Sequence, residues 1–309
     1  MNAMRKIERV LITGVAGFIG SNLLDYLLEN SDWNIHGIDN LSTGNKSNLE
    51  HNLESARFTF SEMRISEMDS IKPYDVIFHL AALPRIQPSF ESIREHVEAN
   101  LNEALFLVEK MVEEDHYPRL VYSGSSSIYG NPENVPTDEN EKIDCMNPYA
   151  FQKYEVERYL EILSERYPLN YVTLRYFNPY GPRSFNPDNP FNAYSSVVGI
   201  FLDRKKNMKP LLITGDGSQE RDFIHVADVA SANFAAAVVE GKPNTAVNIG
   251  YGSTISIKEL ALMISDEFEL IPARLGEAEV THANINAAKE LLGWKPERDL
   301  QAFLKSELT

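Results

Sequence analysis

Three glycines spaced three apart, directly after a β-branched apolar run, constrain this chain more than any other feature. The stretch Val10-Leu11-Ile12-Thr13-Gly14-Val15-Ala16-Gly17-Phe18-Ile19-Gly20 reads as strand, tight turn, helix. Helical periodicity begins at once, with Phe18, Ile19, Leu23, Leu24, Leu27 and Leu28 on one face. The first glycine permits the turn, the second lets a ligand approach the backbone, and the third lets helix pack closely on strand. Backbone N–H groups at the helix start then face an anion such as pyrophosphate. Alone, the Gly14-x-x-Gly17-x-x-Gly20 spacing also fits a glycine turn in any α/β protein.

The next strand candidate, Ile35-His36-Gly37-Ile38-Asp39, ends in an acid about 20 residues beyond that turn. A carboxylate there accepts both ribose hydroxyls of an adenosine and repels a 2′-phosphate, so Asp39 points to NAD over NADP. The bland alternative is a cap or turn aspartate. The loop from Asn40 to Asn45 is polar and turn-rich. Further strands are expected at Phe58–Phe60, at Asp75–Ala82 and at Leu120–Ser123. The small residues Ala81 and Ala82 let a flat ligand reach the backbone, and His79 reads as a packed, hydrogen-bonded histidine. A helical pattern runs over 91–114, with Asn100 either at the surface or turned inward to hydrogen-bond.

Serines 123 and 125–127 lie at a strand's C-terminal end, where open α/β sheets bind ligands. Pro148 opens a helix in which Tyr149 and Lys153, at i and i+4, share one face. Such pairs are common on solvated helices; after a dinucleotide turn and a serine-bearing strand, the pair reads as catalytic. Tyr171–Phe177 is a sixth strand, broken by Asn178–Pro182. Strand–helix alternation then becomes irregular, Asn186–Asn192 is loop-like, and a second, smaller lobe is expected. Within it lie strands at Leu211–Ile213 and Val247–Gly250, an alanine-rich helix over Asp228–Val239, and a capping box at Ser256–Glu259.

The length of 309 residues allows a large core and two lobes, and 43% hydrophobic with 24% charged residues is ordinary for a soluble globular protein. The net charge of −16 excludes a nucleic-acid backbone as ligand, and an anionic small ligand needs a few well-placed arginines. Cys145 is the single cysteine, so neither an intrachain disulfide nor a zinc cluster forms, and no metal is expected. No apolar run approaches the roughly 18 residues of a membrane helix, and Met1–Lys6 lacks the apolar core of a signal peptide. A cytoplasmic location and no membrane partner are expected.

These residues together resemble the extended short-chain dehydrogenase/reductase family, in its nucleotide-sugar epimerase/dehydratase branch. The resemblance runs from about residue 8 to 298. It is carried by Thr13-Gly14-x-x-Gly17-Phe18-Ile19-Gly20, Asp39-Asn40, His79-Leu80-Ala81-Ala82, Ser125 and Tyr129, Tyr149-x-x-x-Lys153, Arg175-Tyr176-Phe177-Asn178, Tyr180-Gly181-Pro182, Gly215-Asp216-Gly217, Arg221-Asp222-Phe223 and Asn248-Ile249-Gly250.

The resemblance implies an α/β fold: a Rossmann-like, doubly wound parallel sheet over 1–177, with later strands from about 211–250 returning, and a smaller mixed α/β lobe over 178–309 that grips a nucleotide sugar. Ser125, Tyr149 and Lys153 are then the catalytic set. The NAD contacts implied are Gly14, Gly17, Phe18, Ile19, Gly20, Asp39, Asn40, Ser42, Thr43, Gly44, Leu80, Ala81, Ala82, Asn100, Tyr149, Lys153 and Tyr176. Ser125, Ser126, Asn178, Tyr194, Arg221 and Arg274 look like nucleotide-sugar ligands, and guanidinium groups match phosphate oxygens. Ser126 and Ser127 stand where dehydratases carry an acidic pair, and Ser127 where decarboxylases carry glutamate. The pattern is therefore closest to UDP-glucose/UDP-N-acetylglucosamine 4-epimerases, with a decarboxylase, dehydratase, 4-keto reductase or silent NAD-binding regulator as alternatives. Thr281 resembles a gate beside the sugar's 2-substituent. Arg64, Glu103, Gln152 and Asn284 depart from the family pattern. A homodimer through helices near 91–114 and 149–166 is also implied.

Overall fold

The computed structural model describes residues 6–185 and 196–309. Six strands build most of one sheet: β1 (Arg9–Thr13), β2 (Asn34–Asp39), β3 (Phe58–Glu62), β4 (Val76–His79), β5 (Arg119–Ser125) and β6 (Tyr171–Tyr176). The chain then leaves the sheet through β7 (Pro179–Tyr180), β8 (Leu211–Thr214), β9 (Glu220–Asp222) and β10 (Ile224–His225), and returns as β11 (Thr245–Ile249). The strand order is β11-β6-β5-β4-β1-β2-β3, and every pairing in it is parallel. This is the doubly wound, Rossmann-like arrangement.

The helices are α1 (Phe18–Asn30), α2 (Ile86–Glu91), α3 (Ile93–Val97), α4 (Glu103–Glu113), α5 (Pro148–Ser164), α6 (Val197–Lys206), α7 (Val226–Val238), α8 (Ile257–Ile264), α9 (Asn286–Leu292) and α10 (Leu300–Leu308). Side-chain alternation along β1 sends Val10 and Ile12 into one core, with Leu23, Leu24 and Leu27 of α1 and the alanines of α7. Leu11 enters the opposite core, with Leu107 and Val108 of α4 and Val156 and Leu160 of α5. Both faces are thereby covered, as a parallel sheet requires.

Two expectations are corrected. Only β11 returns to the central sheet from the 211–250 stretch; β8 belongs to the smaller lobe. There β9 pairs with β12 (Thr254–Ser256), β8 pairs with β13 (Phe268–Ile271), and β14 (Val280–Thr281) lies along the other edge of β9. The lobe has its own core of Tyr180, Phe201, Leu211, Ile213, Phe223, Leu260 and Leu304. The 91–114 pattern is likewise not one helix. It divides into α3, a π-helical turn over Glu98–Asn102, and α4. Among the described residues, no helix is long and apolar enough to cross a membrane.

Strand order reverses between β1 and β4. The crevice beyond the C-terminal ends of β1, β4 and β5 is therefore where this fold places a ligand.

Candidate active site

The glycine turn is built for close backbone packing. Gly14 adopts φ +72°, and a Cβ on it would lie 2.7 Å from Ala81 N, across the reversal point of the sheet. A Cβ on Gly20 would lie 2.1 Å from the Gly14 carbonyl oxygen. Gly17 is the N-cap of α1, which has no side-chain cap and no acidic residue in its first turn. Its leading N–H groups are thus available to an anion.

Asp39 ends β2, and its carboxylate accepts from Ala16 N at 2.9 Å and Leu41 N at 2.8 Å. Burial pushes its pKa up, against those two hydrogen bonds, which lower it. Each oxygen keeps acceptor capacity for a ribose hydroxyl. The loop carrying Asn40, Ser42, Thr43 and Gly44 folds back on the glycine turn through Asn45 N and Asn48 Nδ2, both bonded to Ala16 O. Thr13 staples the opposite wall: its hydroxyl bonds His79 Nδ1 at 2.9 Å and accepts from Leu80 N and Ala81 N. His79 is buried and held down to about 3, by burial first and then by the Lys153 charge. It is neutral and structural, as its sequence context indicates. An NAD-sized dinucleotide fits this cradle: glycines without room for Cβ, a bare helix N-terminus and a carboxylate at the second strand's end.

The catalytic candidates meet at the end of β5. Ser125 lies at its last position, and its hydroxyl hydrogen-bonds Ser127 Oγ at 2.8 Å. Tyr149 stands in the first turn of α5, fixed by the Asn147 N-cap and by Pro148. Its backbone N donates to Ser89 Oγ at 3.2 Å. Lys153 Nζ donates to the Ser123 carbonyl at 2.9 Å and lies over the Tyr122 ring. Burial lowers the ammonium to about 8, opposed by Glu157. Burial raises the Tyr149 phenol, while Ser125 and the Arg85 guanidinium oppose it.

Asn100 turns inward: Oδ1 accepts from Leu83 N at 2.7 Å, and Nδ2 donates to Leu83 O and Gln152 Oε1. Gln152, one of the departures, is therefore the partner that fixes Asn100. Glu103, another departure, accepts from Ser66 N and Ser66 Oγ. The hydroxyl of Tyr176 is committed to Asn233 of α7, which leaves its ring as the surface for a ligand.

On the far side of the crevice, Asn178 takes φ +37° and donates to Asp222 O and Thr281 Oγ1, the latter at 2.8 Å. Asp222 accepts from Tyr251 N, Gly252 N and Ala283 N, tying two segments to β9. Arg221 and Arg274 converge on Glu277 at 4.0 and 3.9 Å. Ser126 is buried in the turn after β5. Tyr194 and the 186–192 loop lie outside the described residues. Sequence reasoning missed Arg85, Asn147, Ser89 and Asn233. Of these only Asn147, an Asn preceding Pro at a helix start, carries a readable signal. No cluster of metal-ligating side chains occurs among the described residues.

A model of the NAD dependent epimerase/dehydratase family matches residues 10–250. A putative UDP-glucose 4-epimerase of Methanocaldococcus jannaschii is 35% identical over 302 residues, covering 96% of each chain. A UDP-N-acetylglucosamine 4-epimerase of Methanobrevibacter ruminantium, solved with UDP-N-acetylmuramic acid, superposes with TM-score 0.89 at 32% identity over 98% of both chains. A UDP-glucuronic acid 4-epimerase of Bacillus cereus, solved with UDP-glucuronic acid and NAD, superposes with TM-score 0.89 at 28% identity, covering 97% of this chain and 98% of that one.

Proposed function

The chain belongs to the NAD dependent epimerase/dehydratase family, and from that premise we propose that it epimerises UDP-hexoses at C4. The substrates are UDP-glucose/UDP-galactose and UDP-N-acetylglucosamine/UDP-N-acetylgalactosamine. The observation that carries this reading is Ser125 at the crevice end of β5, with Tyr149 in the first turn of α5 and Lys153 one turn on.

NAD, bound by the glycine turn, Asp39 and Lys153, supplies reversible oxidation at the sugar's C4. Tyr149 takes the proton from the 4-hydroxyl and later returns it to the 4-keto sugar's reduced oxygen. A free phenol, with its pKa near ~10, is a poor base at neutral pH, so neighbouring cations are needed. Ser125 holds the same sugar oxygen and orients the phenol. Arg221 and Arg274 anchor the diphosphate while the sugar turns between its two faces. The small Thr281 beside Asn178 supports room for an N-acetyl group at C2. Ser126 and Ser127, neutral residues after Ser125, support epimerisation over elimination or decarboxylation.

Incubation with UDP-N-acetylglucosamine and with UDP-glucose, followed by proton NMR, tests the reading. A new anomeric signal is expected in each case, and CO₂ release from UDP-glucuronate would indicate decarboxylation instead. Tyr149→Phe is expected to abolish turnover; near-normal turnover in that variant removes Tyr149 as the base. The exposed apolar residues Phe151, Tyr159 and Ile162 along α5 support a homodimer through that helix.

A further inference from the structure

Thr13, His79 and Tyr122 stand in register across β1, β4 and β5, so they share one face of the sheet, the face packed on α4 and α5. Thr13 is the last residue before the glycine turn. Its hydroxyl accepts from Leu80 N and Ala81 N, both at 3.2 Å, which occupies its two lone pairs. Its one proton therefore goes to His79 Nδ1, and the neutral His79 carries its own proton on Nε2. Fixed in this way, the His79 ring stacks on the Tyr122 ring, with centroids 5.7 Å and planes 26° apart.

Lys153 meets the same ring from α5. Its ammonium lies 5.1 Å from the Tyr122 centroid, within cation–π range. The Tyr122 hydroxyl donates to the Lys153 carbonyl at 3.4 Å, so one side chain touches both ends of the lysine. Lys153 is 2% exposed, and a buried ammonium needs compensation. One of its donors goes to Ser123 O. Glu157, the next turn on, commits its carboxylate to Arg175 of β6, accepting from Nη2 at 2.7 Å and Nε at 3.1 Å. Tyr149 precedes the lysine on its own helix, and Tyr129 lies behind Arg175. Asn100 of the π turn and Ser89 of α2, which bond α5 at Gln152 and Tyr149, are neutral. Burial, then Glu157 and Tyr149, push the Tyr122 phenol well above its ordinary range, so it acts as a neutral ring.

We propose that Tyr122 is a positioning residue for the reaction: its ring, held by the Thr13–His79 pair, is the seat that keeps the Lys153 ammonium charged and in place behind Tyr149. The negative face of an aromatic ring attracts a cation without taking its proton, as a carboxylate could. The seat also runs from the residue before the glycine turn to the lysine, through three strands. The inference rests on Lys153 supporting the Tyr149 phenolate, as proposed above.

Tyr122→Phe keeps the ring, and a trifluorinated phenylalanine at position 122 nearly keeps its shape while removing the negative potential of its face. NMR titration of the lysine Cε signals of the full-length, NAD-loaded chain follows Lys153, identified as the signal lost in Lys153→Met. Relative to Tyr122→Phe, the fluorinated chain should ionise Lys153 about one pH unit lower. Its kcat near about pH 8 should be about fivefold lower as the alkaline limb moves with the ammonium, with KM changed less than about twofold. The two chains should melt together, because a volume-conserving swap leaves the packing as it is. An unmoved Lys153 ionisation in the fluorinated chain overturns the proposal, as does a loss confined to KM. Failure of the underlying reading of Lys153 shows differently: the ionisation moves and the kcat limb stays, which overturns the role in turnover and leaves the seat.

Discussion

A Cβ at position 20 would sit 2.1 Å from a backbone oxygen that has no rotamer to escape into. Gly20→Ala must therefore open the turn, and NAD affinity measured by calorimetry should fall at least about tenfold, or about 1.4 kcal/mol. Lys153 sets a pH dependence. Its ammonium titrates at about 8, so the charge that supports the phenolate is present below that pH. The kcat profile should decline as pH rises through it. In the unfolded chain the same lysine holds its proton to 10.5. Between the two values the unfolded state binds more protons, so this lysine's burial penalty fades and its contribution to stability rises with pH; a Lys153→Met variant should lose that slope in melting experiments. Gly14, Asp39, Ser125, Tyr149 and Lys153 could be singled out beforehand from residue type and spacing, and their functional roles are part of the proposed reading. Arg85 was not, because nothing in the sequence marks position 85 for a φ of 98°, a backbone angle that an arginine rarely adopts.

At the scale of elements, α5 announces itself: Asn147 accepts from Ala150 N at 2.8 Å ahead of Pro148. Asn147→Ala should lower global stability by about 1 kcal/mol in denaturant unfolding. It should lower kcat as well, because the freed first turn holds Tyr149. The region before α4 was less legible. Ile93, Val97, Leu101 and Leu105 keep a helical apolar spacing, yet the backbone loosens into a π turn over Glu98–Asn102. That turn carries Asn100, whose amide satisfies Leu83 deep in the crevice wall. Periodicity reports which face is buried but not where the backbone widens, and the widened turn is the one that carries Asn100 to Leu83. The small lobe was blurred for a related reason. Its strands are two to four residues long, too short for an alternation to register.

For the molecule as a whole, the proposed dimer face is testable without touching the site. Ile162 is 56% exposed on α5, with Phe151 and Tyr159 along the same helix. Ile162→Glu should halve the mass seen by light scattering while leaving the melting of the isolated chain nearly unchanged, since an exposed side chain contributes little to its own fold. Asn147 has a wider consequence. Its Oδ1 caps the helix that carries the base, and its Nδ2 donates to Gly276 O at 3.0 Å, in the loop between Arg274 and Glu277. One amide therefore joins the helix turn that carries Tyr149 to the loop that carries Arg274, the proposed base and the proposed diphosphate anchor. A nucleotide that settles that loop also settles the first turn of the helix, and thermodynamic reciprocity makes the linkage run both ways. On the proposed reading, free UDP with no sugar attached would then be an effector of the Tyr149 phenol, and the state of the phenol would in turn set how tightly UDP is held.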